Sequence, residues 1–354
     1  KQAVNGELTD SGYLQRITEL STRFHRVQLG LPDQDALLSA LLQEAIAHPQ
    51  LDEAIAAVGV TVAVTSSWQA NEVLQSEAYS KLVTFLGGAG SSDEGIDPPL
   101  AVLDALDDRL ENRFKPLASR IPKGAAGRVH WLTLDAAMVC TQIHALQWIG
   151  RHDAEAAFIN SLRTGQFPRR AIDPTIASYL LARFEPVWDA RADLPDRLFG
   201  PLCAHGALLA ELADDFGLCA EVTQVALDRE GGHVTEAVPP PIPESLAAFC
   251  ERRGDLDLAA SMYERALEGL IHAVPRPFAD TIVYRAFKVQ VARGDRHAAL
   301  RTALRHSPAY RASATWPHLP CRDMLVNEVE ALARDLGYRD ARTARERMAA
   351  VPSR

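Results

Sequence analysis

The residues best suited to chemistry in this 354-residue chain are acids. Asp104, Asp107, Asp108 and Glu111 form the run D-x-x-D-D-x-x-E within a stretch of helical periodicity. On a helix, Asp104, Asp108 and Glu111 share one face, and their oxygens suit a hard cation with water filling the remaining sites. The competing reading is a solvated acidic face. A second cluster, Glu211, Asp214 and Asp215, lies near His205, and a helix brings Glu211 within reach of Asp214 or Asp215. Charge at a helix end is its simpler role. His144 and His152 would align along a helix, but Gly150 is expected to interrupt it between them, so no ligand pair is expected.

No nucleophile elbow, phosphate-binding loop, dinucleotide fingerprint or zinc-protease helix can be assembled. The sequence therefore assigns no catalytic residue, no resident metal and no cofactor. The acidic run does resemble the magnesium-binding motif of the all-α terpene synthases. That resemblance implies a metal-dependent enzyme with Asp104, Asp108 and Glu111 as ligands. Against it stand the lack of a second metal motif and an aromatic content of 6%, meagre for a pocket that stabilises carbocations.

Composition narrows the classes further. With 47% hydrophobic and 23% charged residues, the chain has the balance of a globular protein of about two domains. A formal net charge of −9 repels a phosphate backbone. The densest basic stretch, Arg339, Arg342, Arg345 and Arg347, is interleaved with Asp340 and Glu346 and carries no aromatic residue, which reads as a solvated helix face. Nucleic acid is thus not an expected partner. The five cysteines are odd in number and lack a C-x-x-C pair, which suits reduced thiols in the cytoplasm. No apolar run approaches the roughly 18 residues of a membrane span, and Val129 to Ile149 reads as a buried helix. The chain opens on Lys1 with polar residues and shows no signal peptide, so a cytoplasmic setting is expected.

The elements that must position these residues are helices. Tyr13, Leu14, Ile17, Leu20, Phe24 and Val27 paint one side of a helix. Asp33 suits the cap of a second, through Leu37, Leu38, Leu41, Leu42 and Ile46, and Ser67 that of a third, through Leu86. Between them Val58, Val60, Val62 and Val64 alternate with small residues, which predicts a brief strand. Residues 87–99 are rich in Gly, Ser and acids and read as a flexible loop. Asp97–Pro98 and Asp173–Pro174 each supply a cap and a first-turn proline. Residues 229–243 contain GGH and PPPIP and read as a linker. The expected division is an N-terminal helical segment (1–86), the loop (87–99), a central bundle (100–228), the linker (229–243) and a C-terminal region (244–354). Trp68, Trp131, Trp148, Trp188 and Trp316, spread along the chain, are expected to anchor helix interfaces.

From Leu246 the chain reads LAAFCERRGDLDLAASMYERALE. Gly254–Asp255 ends one helix and starts another, and Ala259, Tyr263, Ala266 and Leu267 follow at helical spacing. This resembles a tetratricopeptide repeat, in which small residues let two antiparallel helices approach and neighbouring hairpins stack. Gly294–Asp295, 40 residues later, is followed by Ala299 and marks a degenerate second copy. Residues 150–162 have the flavour of a third such turn. The resemblance covers about 246–307 and implies an all-α fold of stacked helical hairpins, an α-solenoid in its C-terminal third. It also implies a non-enzymatic scaffold that binds a protein or peptide in a concave groove, lined at Glu251 and Arg252 in the first repeat and Tyr284 and Lys288 in the second. The alternatives are the metal-dependent enzyme and an effector or immunity-type protein that blocks one target.

Overall fold

The structure, a computed structural model, describes residues 33–64, 98–164, 174–233, 241–272, 279–307 and 320–349. Among the described residues there are thirteen α-helices, two short 3-10 turns and no strand, so the protein is all-α. The helices are α1 (Asp33–Ile46), α2 (Leu51–Val64), α3 (Pro98–Ala118), α4 (Arg128–Thr164), α5 (Pro174–Asp189), α6 (Asp196–Ala213), α7 (Phe216–His233), α8 (Pro241–Arg253), α9 (Leu256–His272), α10 (Ala279–Ala292), α11 (Arg296–His306), α12 (Pro320–Asp335) and α13 (Ala341–Ala349). The helix expected at 13–27, the one opening at Ser67, and Trp68 and Trp316 lie outside the described residues, as does 87–97 of the expected loop. None of the helices is long and apolar enough to cross a membrane.

The chain divides into two compact units, Lys1–His152 with Ile172–His205, and Asp153–Ala171 with Gly206–Arg354. The division falls within α4 and α6, not at the expected linker. The proline-rich stretch lies inside the second unit, where α7 packs directly on α8. Gly231, Gly232 and His233 belong to α7, and α8 opens at Pro241, where missing amide donors cost nothing because first-turn N–H groups have no helical partner.

In the first unit α1 and α2 form a hairpin. Arg120 closes the carboxyl end of α1, donating from Nη1 to the Ile46 carbonyl at 2.7 Å and from Nη2 to that of His48 at 2.8 Å. The expected strand at Val58–Val64 is instead the second half of α2. Val58, Val60 and Val62 are all buried, and a helix covered on every side has no polar stripe to betray its period. Leu42, Ile55, Val58 and Val62 share a core with Leu110, Phe114 and Leu117 of α3 and Leu134 of α4. Helix α4 runs unbroken through Gly150 for 37 residues. The interruption between His144 and His152 and the third Gly-Asp-like turn at 150–162 are therefore both absent, an interior glycine costing a helix only about 1 kcal/mol. Of the tryptophans, Trp188 is buried and stacks on Phe184, whereas Trp131 is 45% exposed and anchors no interface.

The second unit repeats one turn. Asp214–Asp215, Gly254–Asp255 and Gly294–Asp295 recur every 40 residues, joining α6 to α7, α8 to α9 and α10 to α11. At each, the first residue has positive φ (58°, 79° and 83°). The following Asp N–H reaches back to the carbonyls of Ala210, Cys250 and Gln290 at 2.9 to 3.0 Å, the bonding of a Schellman motif. The same Asp side chain then accepts from the N–H three residues on, at Leu218, Leu258 and Ala298, and caps the next helix. Gly337 and Asp340 build a fourth turn with two residues inserted. Four residues beyond each Asp stands a small, fully buried residue, Cys219, Ala259, Ala299 and Ala344, which lets the paired helices close on each other.

Candidate interaction surface

The hairpins are tied by polar side chains at equivalent repeat positions. Glu211 of α6 accepts from Ser245 Oγ of α8 at 3.2 Å, and Glu251 of α8 accepts from Arg285 of α10 at 3.3 Å. Both partners lie 34 residues apart in sequence, so one repeat-to-repeat contact is made twice with different donors. Glu251 also accepts from the Tyr263 hydroxyl at 2.8 Å. Burial favours the neutral form of Arg285, yet Tyr263 and the carboxylates of Glu251, Glu211 and Glu244 outweigh it and hold the guanidinium charged, its pKa raised.

The four residues expected to line a groove occupy this framework. Glu251 is engaged as described. Arg252 lies over the Phe249 ring and stands 3.7 Å from Glu211 and 3.8 Å from Asp214. Tyr284 is fully buried and its hydroxyl donates to Glu328 of α12. Lys288 is half-buried and pairs with Glu328 at 3.1 Å. Tyr284 is therefore interior and offers no contact surface. Residues 242–250 of α8 and 282–290 of α10 are buried apart from Glu244 and Lys288, so these first helices do not line an open trough. Helix α12 differs: Asp323, Asn327, Ala331 and Asp335 form an exposed stripe at helical spacing. The sequence pattern did not mark it, because its turn at Gly337 lacks an adjacent Asp.

The acidic run of α3 does not gather into a ligand set. Asp104, Asp108 and Glu111 are exposed, and among the described residues no group of three or more His, Cys, Asp or Glu is placed to hold a metal ion. Asp107 turns inward instead, accepting from Gln142 Nε2 at 2.7 Å and Arg183 Nη1 at 2.6 Å, while Arg183 also donates to the Tyr179 hydroxyl. This ties α3 to α4 and α5. Burial raises the Asp107 pKa against the opposing pull of Arg183. His205 donates from Nδ1 to the Pro201 carbonyl at 2.7 Å, and its ring meets His144 edge-on at 6.1 Å. Cys140, Cys203, Cys219 and Cys250 are buried thiols outside any disulfide. Burial pushes the Cys140, Cys219 and Cys250 pKa values up, which leaves these three as inert apolar packing and not as nucleophiles. An open depression of about 410 Å³ lies beside Trp131, Arg128 and Asp135 in the first unit.

No family model, curated protein or solved structure matches the chain.

Proposed function

We propose that the chain is a non-enzymatic helical-repeat protein, tetratricopeptide-like in its second unit, that binds a protein or peptide partner. The observation that carries this reading is the recurrence of one capped turn at fixed spacing. It generates stacked hairpins whose neighbours supply each other's core, an architecture that displays surface without enclosing a reaction site. The use made of several groups with perturbed ionisation supports it: Asp107 and Arg285 are spent on helix-to-helix ties and the buried thiols on packing, while Asp135, its pKa also raised by burial, lines the depression beside Trp131. The contact surface on this reading is the open stripe of α12, with Lys288 of α10 at its edge.

The test is affinity capture with the full chain, followed by titration calorimetry with each retained polypeptide after purification. A single polypeptide bound stoichiometrically, with affinity falling at least tenfold in Asp323→Ala/Asn327→Ala/Lys288→Ala at unchanged circular dichroism, supports the proposal. Unchanged affinity in that variant overturns the assigned surface. Titration with magnesium, alone and with diphosphate, is expected to give no heat, and binding there overturns the non-enzymatic reading.

A further inference from the structure

The second helices of the hairpins change sign along the array. Helix α7 carries three acids and one arginine, and α9 likewise three acids and one arginine. Helix α11 then carries three arginines and no acid, and α13 three arginines and one acid. The charges concerned reach solvent: Glu221 and Asp228 of α7, Glu268 of α9, Arg301 and Arg305 of α11 and Arg345 of α13 are all exposed. Helix α11 packs on α13, so the arginines of the last two hairpins combine on adjoining helices. Exposed pairs such as Arg265–Glu268 and Arg342–Glu346 are worth little in water and leave the sign of each half unchanged.

We infer that two copies of the chain pair back to back and antiparallel through these helices, α7 and α9 of each copy against α11 and α13 of its partner. The inference rests on the charge of the array and is independent of the partner reading, which uses α12. The surface complementary in charge to each half is present on the same molecule. A parallel pairing sets like charge against like. The antiparallel one neutralises both ends at once, and a two-fold axis closes it at two copies. Nucleic acid suits the basic half less well, since the acidic half of the same array repels a polyanion running past it. Steering of this kind acts over a Debye length of about 10 Å at 0.1 M salt, so the dimer is salt-sensitive and concentration-dependent.

Sedimentation velocity of the full chain tests this. The wild type is expected to sediment as a dimer at low salt and as a monomer at high salt. Arg301→Glu/Arg305→Glu/Arg345→Glu and Glu221→Lys/Asp228→Lys/Glu268→Lys are each expected to be monomeric at low salt, with circular dichroism unchanged because every substituted side chain is exposed. Mixed one to one, the two variants are expected to regain the dimer, since the formerly basic half of one is then weakly acidic and the formerly acidic half of the other weakly basic, which restores opposite signs across the pair. A monomeric wild type at low salt, variants that dimerise as well as the wild type, or a mixture that stays monomeric would each overturn the inference.

Discussion

Arg285 of α10 and Glu251 of α8 form an ion pair at 3.3 Å with side chains only 7% and 15% exposed. A charge removed from water this far is tolerable only with its partner present.

Replacing Glu251 by Ala removes the carboxylate 3.3 Å from the guanidinium and the acceptor of the Tyr263 hydroxyl together. The expected cost is about 3–5 kcal/mol, read from urea denaturation. Replacing both members, as Glu251→Met/Arg285→Met, is expected to recover most of that loss, because the buried charge disappears along with its partner. A double variant no more stable than Glu251→Ala would mean that the pair acts through something other than mutual neutralisation.

The repeated turn makes an expectation of opposite signs. Gly254 and Gly294 have φ of 79° and 83°, and an added Cβ would meet nothing within 4 Å. Alanine at either therefore carries only the left-handed backbone strain, about 1–2 kcal/mol. At Asp214 the same conformation is already occupied by a residue with a Cβ. Asp214→Gly is expected to stabilise by up to about 1 kcal/mol, the 3.8 Å approach to partly exposed Arg252 offsetting little of it. Thermal denaturation of the three variants separates the signs.

That turn also shows how far local chemistry reaches. Gly254–Asp255 and Gly294–Asp295 are legible in sequence because glycine advertises positive φ and aspartate a cap. The equivalent turn at Asp214–Asp215 is hidden, since aspartate adopts the left-handed region only where the flanking helices impose it. The turn at Gly337 is hidden by two inserted residues. Gly150 misleads in the other direction, a helix-breaker overridden by the surrounding helix. The all-α class was readable because it depends on periodicity within single segments. The burial of Tyr284 and the ties from Glu251 to Arg285 and Tyr284 to Glu328 were not, because they depend on which helix face the next hairpin covers.

Helices α2 and α4 meet where Gly59 faces Thr133. A Cβ on Gly59 would stand 2.7 Å from Thr133 Cγ2, inside van der Waals contact. Thr133 cannot simply turn away, because its hydroxyl donates to the Val129 carbonyl at 2.9 Å. Gly59→Ala is expected to destabilise by about 1–3 kcal/mol through overpacking. Thr133→Ser removes the obstructing methyl and keeps the hydroxyl, so the double variant is expected to regain most of the loss. Additive costs in this double-mutant cycle would show that the two side chains do not compete for the same space.

His205 sets an acid limit on the first unit. Burial lowers its pKa to about 4 from an ordinary value of 6.5, a bond to the Pro201 carbonyl opposing the shift only partly. The folded protein therefore refuses a proton that the unfolded chain accepts once the pH drops below about 6.5. Its stabilising contribution is complete above that pH, is lost progressively down to about 4, and levels off below, where both states are protonated. Over this window the loss attributable to His205 amounts to about 3 kcal/mol. Asp107 and Asp135 act oppositely, because burial raises their pKa values and the folded state takes up their protons first as the pH falls. His205→Gln isolates the histidine: it retains an N–H for Pro201 and does not titrate. Urea denaturation at pH 7 and pH 4.5 is expected to show the wild type losing more stability than the variant. Equal losses would place the acid sensitivity elsewhere.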